Sequence, residues 1–569
     1  MKDTNNQKDA HTSYVGMPWF GINWGVDTRI HAYDKIFDSG EIQKTFEQYM
    51  TRTFSPGFHI RYPGGAFVQE FDMDPANFGG NVSWPSPEIF LKFCSSSGLK
   101  VLQQLPTTAL ARNGSIQKVH SSNGKIDWGI VDNIVQDAVK YCRWIKANQL
   151  WDTVIAFEIG NEDYAVMEGE FSPDDYVETV ARYISGLSQI DQEIKLIIDT
   201  RPAGSNDWGR AVLRLIKARN LEKAIFGFAT HVYPGWTVPA LNRKGIDFHN
   251  YILSEQSSFA KNNNYSTLVE NLNNLGYPPD HKIFITECGL DLTLFDFQSN
   301  KKDFSCAVGL VKDVIELIQS PRFGGLSYTG LFHQYLIQKQ KLKGDGQVYS
   351  NQVTDWGLGE LWFLPDESGA KFVGTPLLDV LGVLSKGLCS CSRYGRLKTA
   401  GNTEAILALK TTGQYFLLFV NLSSAQTQVD LQAEANVNLL YGGLGARTLP
   451  LGATSLQSGS MEEKAYPLVS PAGLSFPAYA IAYTYLTSGK LNGLPISGDL
   501  IGFKAIKDGE ELNLGDFGVL MKDGRLEITP KGATVSGLTW RLLSSDRDEL
   551  TKLIGVDPDD ITEWTTREK

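Results

Sequence analysis

Between residues 17 and 387, eight apolar, β-rich runs alternate with helix-like stretches. The strand-like runs cover 17–24, 59–64, 100–106, 154–162, 194–200, 226–234, 282–289 and 326–335. Helical patterns fall at 41–52, 127–148, 174–190, 207–218, 266–276, 303–319 and 376–386. Ser172-Pro173-Asp174-Asp175 before one of them is a helix-start signal, with a hydroxyl to cap and proline in the first turn. Strand and helix in strict alternation predict an α/β fold with a parallel sheet. Eight repeats predict a (β/α)8 TIM barrel with inserted loops. An open, doubly wound sheet accounts less well for the polar residues that gather at so many strand ends.

After residue 388 the pattern changes. Short alternating runs at 404–409, 415–421, 427–431, 437–441 and 478–485 are separated by Gly, Ser and Asn. They predict an antiparallel β-sandwich over 388–487. Residues 488–569 form a small C-terminal module of unknown role, with turn sequences Lys507-Asp508-Gly509 and Lys522-Asp523-Gly524 and an acidic stretch at Asp557-Pro558-Asp559-Asp560. Residues 1–16 are a polar lead segment.

Charge and motif content narrow the function. The net charge is −11 with no basic run, which argues against nucleic acid as a partner. No apolar run reaches membrane-spanning length. No signal peptide is legible, so the chain as written reads as cytoplasmic, or as secreted with its signal removed. The six cysteines show no disulfide framework and read as free, mostly buried thiols. The eight histidines are scattered, with no His-x-His or His-Glu-x-x-His, so neither a metal nor another cofactor is expected.

In a barrel enzyme, function collects at the carboxyl ends of the strands. The first strand offers Asn23 and Trp24, and the second Arg61 in Arg61-Tyr62-Pro63-Gly64-Gly65. The fourth ends in Ile159-Gly160-Asn161-Glu162, the fifth in Asp199-Thr200-Arg201. The sixth ends in Thr230-His231-Val232-Tyr233-Pro234, the seventh in Thr286-Glu287-Cys288-Gly289, and His333-Gln334 follow the eighth. Two carboxylates on a rigid scaffold, Glu162 and Glu287, are what glycosidic bond cleavage needs. Aromatics at 11% include loop tryptophans suited to stacking on sugar faces: Trp24, Trp236 and Trp356.

These strand ends resemble those of clan A retaining glycoside hydrolases. Asn-Glu closing the fourth strand, His-x-Tyr the sixth and Thr-Glu-x-Gly the seventh carry the likeness. Ile60-Arg61-Tyr62-Pro63-Gly64-Gly65 and Ile159-Gly160-Asn161-Glu162 resemble the α-L-arabinofuranosidase (51) and heparanase/β-glucuronidase (79) families; Phe157-Glu158 resembles the β-xylosidase family (39). The resemblance spans roughly 17–487 and implies roles. Glu162 would be the acid/base and Glu287 the nucleophile. Asn161 would hold the sugar 2-hydroxyl, Tyr233 would hydrogen-bond the nucleophile, Arg61 would keep it ionised, and His231 would orient its neighbours or touch substrate. A retaining pair stands about 5 Å apart. The acid is expected to have a raised pKa and its partner a low one.

Each residue has a plainer reading. A strand-end Glu is often a solvated loop residue, although a pair on strands four and seven with Asn before one is hard to reach by chance. An inward Arg61 could simply pair with Glu158, which reads as structural. Asp199 could cap a helix, and Arg201 would matter for an anionic substrate. Trp19 and Trp151 read as core, and Gly64 and Gly65 as backbone devices. The leading expectation is a retaining glycoside hydrolase acting on an oligo- or polysaccharide by two-glutamate double displacement. The alternative is a non-catalytic glycan-binding, assembly or structural protein on the same barrel, with 488–569 as a contact for a protein partner or a second copy.

Overall fold

The computed structural model describes residues 18–25, 36–37, 40–80, 85–121, 124–165, 171–201, 207–234, 248–289, 304–331, 361–366, 369–389, 391–397, 402–410, 415–425, 427–429, 444–447, 463–466, 474–476, 479–486, 511–514, 517–522, 525–530 and 561–566. They fall in two compact units, one containing a barrel and one a seven-stranded sheet.

The barrel is closed and parallel. Its strands are β1 (Trp19–Asn23), β2 (His59–Tyr62), β3 (Lys100–Leu105), β4 (Val154–Ile159), β5 (Leu196–Asp199), β6 (Ile225–Val232), β7 (Lys282–Cys288) and β8 (Phe323–Tyr328). Each pairs with its sequence neighbours, and β1 closes the ring against β8, with Trp19 opposite Gly325. The (β/α)8 architecture expected from the alternation is therefore the one observed. A helix follows each strand: α1 (Gly40–Thr53), α2 (Pro87–Ser96), α3 (Trp128–Ala147), α4 (Pro173–Leu187), α5 (Trp208–Ala218), α6 (Asn263–Asn274), α7 (Phe304–Leu317) and α8 (Pro376–Leu388). Capping starts several of them. Ser172 accepts from the Asp175 backbone N–H at the head of α4, and Thr375 accepts from Leu378 at the head of α8.

Side chains plug the bottom of the barrel. Trp19, Leu102, Ala156, Ile197, Ala229 and Phe284, from six different strands, form one buried cluster. The Trp19 and Phe284 rings stand 4.7 Å apart. Phe284 fits because its neighbours lack side chains: a Cβ on Gly227 would stand 2.4 Å from its ring. A polar layer lies above, where His59 meets Ser327 Oγ at 2.6 Å across the lumen. Burial pushes the His59 imidazole down to about 3, so it is neutral. The expected core places of Trp19 and the free, buried state of all six cysteines are observed.

The second unit is antiparallel. Its seven-stranded sheet runs Glu463–Tyr466, Leu444–Arg447, Ile481–Leu486, Tyr415–Asn421, Thr403–Lys410, Cys391–Leu397, Ile561–Thr566. The last of these strands belongs to the segment 488–569, and it forms the edge beside Cys391–Leu397. Thr427–Val429 pairs with Leu474–Phe476 in a separate small sheet. Phe517–Lys522 and Arg525–Pro530, which flank the turn sequence Asp523-Gly524, pair with Lys522 opposite Arg525. The strand expected at 437–441 lies outside the described residues.

Candidate active site

Strand side chains alternate, so a residue two places beyond an inward one also faces the lumen. On β2 that places Arg61 above His59, and on β4 it places Glu158 above Ala156. Arg61 is fully buried and every nitrogen of its guanidinium is engaged. Nε and Nη2 donate to Glu158 at 2.6 and 3.1 Å. Nη1 donates to Asn23 Oδ1 at 2.9 Å and to Glu287 Oε2 at 3.1 Å, and Nη2 also donates to Asn161 Oδ1 at 2.8 Å. Arg61 therefore pairs with Glu158 and donates to the strand-seven glutamate as well. Asn23 donates to the Thr286 and Tyr328 carbonyls at 3.2 Å, which makes it a brace between β7 and β8 that also orients Arg61.

Glu287 reaches this cluster through a bulge. Alternation from Phe284 would aim Thr286 inward and Glu287 outward. The β6–β7 register slips by one residue, with Thr230 opposite Ile285 but His231 opposite Glu287. A bulge re-aims the strand at that point. The Glu287 carboxylate then accepts from the Tyr233 hydroxyl at 2.5 Å and from Arg61. Thr329, just past β8, stands 2.9 Å from the Tyr233 oxygen and donates to the Cys288 carbonyl.

Glu162 sits on a tight turn after β4. Gly160 has φ 85 and Glu162 itself φ 48, in the left-handed region. That conformation costs a non-glycine residue about 1 kcal/mol. It is held by Thr107 Oγ1 donating to Asp163 Oδ1 and by the Gly160 N–H donating to the Leu105 carbonyl at 2.8 Å. His231 Nδ1 lies 2.8 Å from Glu162 Oε1 and 3.9 Å from Glu287 Oε2. The two carboxylates are therefore no more than about 7 Å apart, a distance that admits the retaining spacing of about 5 Å. The Asn264 amide donates to the His231 carbonyl at 2.8 Å and steadies the histidine backbone.

The electrostatics differ from the expected pattern. Burial works to raise the Glu162 carboxyl. The hydrogen bond and charge of His231, a hydrogen bond from Tyr164 and the charge of Arg201 outweigh it, and the carboxyl falls to about 2. Burial works against the His231 charge, yet Glu287 and Glu162 lift it to about 9. The raised pKa expected for the candidate acid thus resides on its histidine partner. Glu162 and His231 form an ion pair that holds one proton at neutral pH. A third carboxyl is raised: burial pushes Asp199 up to about 7, with His231 drawing it down and Glu162 and Glu158 pushing it up.

Arg61, Asn23, Asn161, Glu162, His231, Tyr233 and Glu287 converge at one end of the barrel. Arg201 stands beside them, its guanidinium carbon 4.4 Å from the centre of the Tyr164 ring. Trp24 does not join them. It is fully buried against Phe46 and Phe90, so it is core and not a sugar platform. Its backbone N–H extends the β1–β2 pairing, which turns the indole away from the lumen. Trp236, Trp356, His333 and Gln334 lie outside the described residues. Among the described residues no three His, Cys, Asp or Glu side chains are grouped as a metal would require. Sequence reasoning missed Tyr164, Gln104 and Thr329. Gln104 bridges the Gly64 N–H at 2.9 Å and Asn161 Oδ1 at 3.4 Å. Alternation could have found Gln104, two beyond Leu102, and Thr329, two beyond Ser327, had the eighth strand not been read at 326–335.

No protein-family model matches the chain, and no curated protein matches it in sequence. Solved structures do match. The family 51 α-L-arabinofuranosidase AbfB from Bifidobacterium longum has a TM-score of 0.54 at 11% identity, over 83% of this chain and 97% of that one. The chain shares the (β/α)8 fold of that hydrolase. A GH51 arabinofuranosidase from Xanthomonas axonopodis pv. citri has a TM-score of 0.49 at 14% identity, covering 79% of this chain and 90% of its own. A GH39 β-xylosidase from Caulobacter crescentus scores 0.48 at 12% identity, over 83% and 97%.

Proposed function

We propose that this chain is a retaining glycoside hydrolase acting on an oligo- or polysaccharide, with Glu287 as nucleophile and Glu162 as acid/base. What carries the reading is the division of partners between two close carboxylates. Glu287 is held by Arg61 and Tyr233, which fixes its carboxyl group in place for attack. Glu162 is held by a histidine that carries a proton. A glycan binder needs neither arrangement.

In the first step a Glu287 oxygen attacks the anomeric carbon, the bond to the leaving-group oxygen breaks, and that oxygen takes a proton from Glu162. That single proton comes from His231: it crosses the 2.8 Å contact to Glu162, which hands it on to the leaving-group oxygen, and it returns to the pair in the second step. In the second step Glu162 takes a proton from water, whose oxygen attacks the glycosyl–Glu287 ester and releases the carboxylate. Asn161 has its carbonyl oxygen occupied by Arg61, so it offers its amide N–H to the sugar 2-hydroxyl. A screen of 4-nitrophenyl glycosides and of neutral and acidic polysaccharides tests the activity. Glu287→Ala is expected to abolish turnover. Glu162→Ala is expected to keep part of it on an aryl glycoside and to regain more with azide, yielding a glycosyl azide of retained configuration. Identical behaviour of the two variants would refute the roles.

A further inference from the structure

The end of β5 presents two buried polar atoms of opposite hydrogen-bonding sense, the acceptor Asp199 Oδ2 and the donor Arg201 Nε. Neither has a partner among the described residues. Asp199 is 5% exposed, and its backbone is locked, because its N–H donates to the Tyr176 hydroxyl, which donates to the Ile159 carbonyl. Trp208 backs that wall, with its ring 5.1 Å from Tyr176 and its indole N–H on the Phe171 carbonyl. Both orphaned atoms are tied to Glu162. The Asp199 carboxylate accepts from the Arg201 backbone N–H, Arg201 lies over the Tyr164 ring, and the Tyr164 hydroxyl donates to Glu162. Among the described hydrogen bonds none joins Asp199, Arg201 or Tyr164 to Glu287 or Arg61. Buried polar groups are almost always paired, so two unpaired neighbours beside a reaction centre mark where a ligand completes the pairing.

We propose that Asp199, Arg201 and Tyr164 form the leaving-group subsite, which binds an uncharged, hydroxyl-bearing sugar on the Glu162 side of the scissile bond. A sugar hydroxyl both accepts and donates, so one hydroxyl takes the Arg201 Nε–H and gives its own proton to Asp199. An aryl leaving group does neither. The surrounding charge selects for neutrality. Glu158, Glu162 and Glu287 already face Arg61, His231 and Arg201, so a further anion beside Asp199 would find no cation left unbalanced. A uronate here would be such an anion. The inference rests on the glycosidase reading, with Glu162 as acid/base.

The test compares four leaving groups on the glycosyl that the 4-nitrophenyl screen selects: 4-nitrophenol, methanol, xylose and glucuronic acid. Wild type, Asp199→Asn and Arg201→Gln are assayed for kcat/KM on each. Both variants are expected to lose about 10- to 100-fold more on the xylose-linked substrate than on the aryl glycoside or on the methyl glycoside, whose leaving group also needs the Glu162 proton but offers no further hydroxyl. A loss on the methyl glycoside equal to that on the xylose-linked substrate would trace the effect to Glu162 and overturn the subsite. Wild type is expected to prefer the xylose over the glucuronic acid leaving group. Arg201 is only half-buried, so Arg201→Gln decides the case if Asp199→Asn fails to fold. An equal loss on the aryl and xylose-linked substrates, no loss on either, or a preference for glucuronic acid overturns the subsite alone. A wild type inactive on every glycoside overturns the glycosidase reading and the subsite with it.

Discussion

Arg61 serves two carboxylates with one guanidinium, and the two can be separated. Arg61→Met leaves Glu158 buried without a counter-charge, which costs about 3–5 kcal/mol. It also frees Glu287 and Asn161, with an expected fall in kcat/KM of about 100-fold or more. Adding Glu158→Gln is expected to restore most of the stability in urea unfolding while turnover stays low. Recovery of turnover in the double variant would make Arg61 a packing residue. The Glu162–His231 pair makes a prediction about pH. Its proton resides on His231, with a pKa lifted to about 9, so the alkaline limb of the kcat/KM profile is expected near that pH. Glu287, Arg61 and Asp199 also face the histidine, and Glu287 is the main lifting charge. In His231→Asn the proton has to reside on Glu162 itself, whose ordinary range is about 4.3, so the limb moves to lower pH by more than about one unit. An unmoved limb would show that the histidine does not hold the acid's proton.

At the scale of the element, two short backbone devices aim the glutamates. The β7 bulge turns Glu287 into the lumen. The turn after β4 does the same for Glu162 and depends on Gly160. A Cβ there would stand 1.6 Å from Asp163 Oδ2, and φ is 85, so a side chain is both blocked and strained. Gly160→Ala is expected to lose about 2 kcal/mol or more by denaturant unfolding. It should also cut activity on aryl glycosides less than activity on natural linkages, because the displaced Glu162 is needed most where the leaving group needs a proton. A variant of wild-type stability and activity would show that the turn does not position Glu162.

At the scale of the whole molecule, the strand Ile561–Thr566 ties the C-terminal segment to the antiparallel sheet. Truncation at 487 keeps every residue of the candidate site but removes this strand. Cys391–Leu397 then becomes an edge with unpaired backbone groups, a template for aggregation. The truncated chain is expected to lose soluble yield, by size-exclusion chromatography, while the soluble fraction keeps its turnover per molecule on an aryl glycoside. Loss of turnover in a monodisperse truncated chain would mean that the segment reaches the active site.

The alternation of eight apolar runs with helical stretches was enough to read the barrel, because buried parallel strands and amphipathic helices differ in length and period. The strand ends named Arg61, Asn161, Glu162, His231, Tyr233 and Glu287 as candidates, and the structure brings these six together. Trp24 went astray because nothing local distinguishes a loop indole from one that packs under Phe90. Thr329 was overlooked because the eighth strand ends at Tyr328, earlier than its apolar run suggested. Only the tertiary structure decided where the proton resides. A pKa depends on charges brought together from distant strands: His231 between Glu162 and Glu287, and Asp199 buried near both His231 and Glu162. The chain's local pattern sets which residues reach the mouth of the barrel, and their spacing in three dimensions sets their charge.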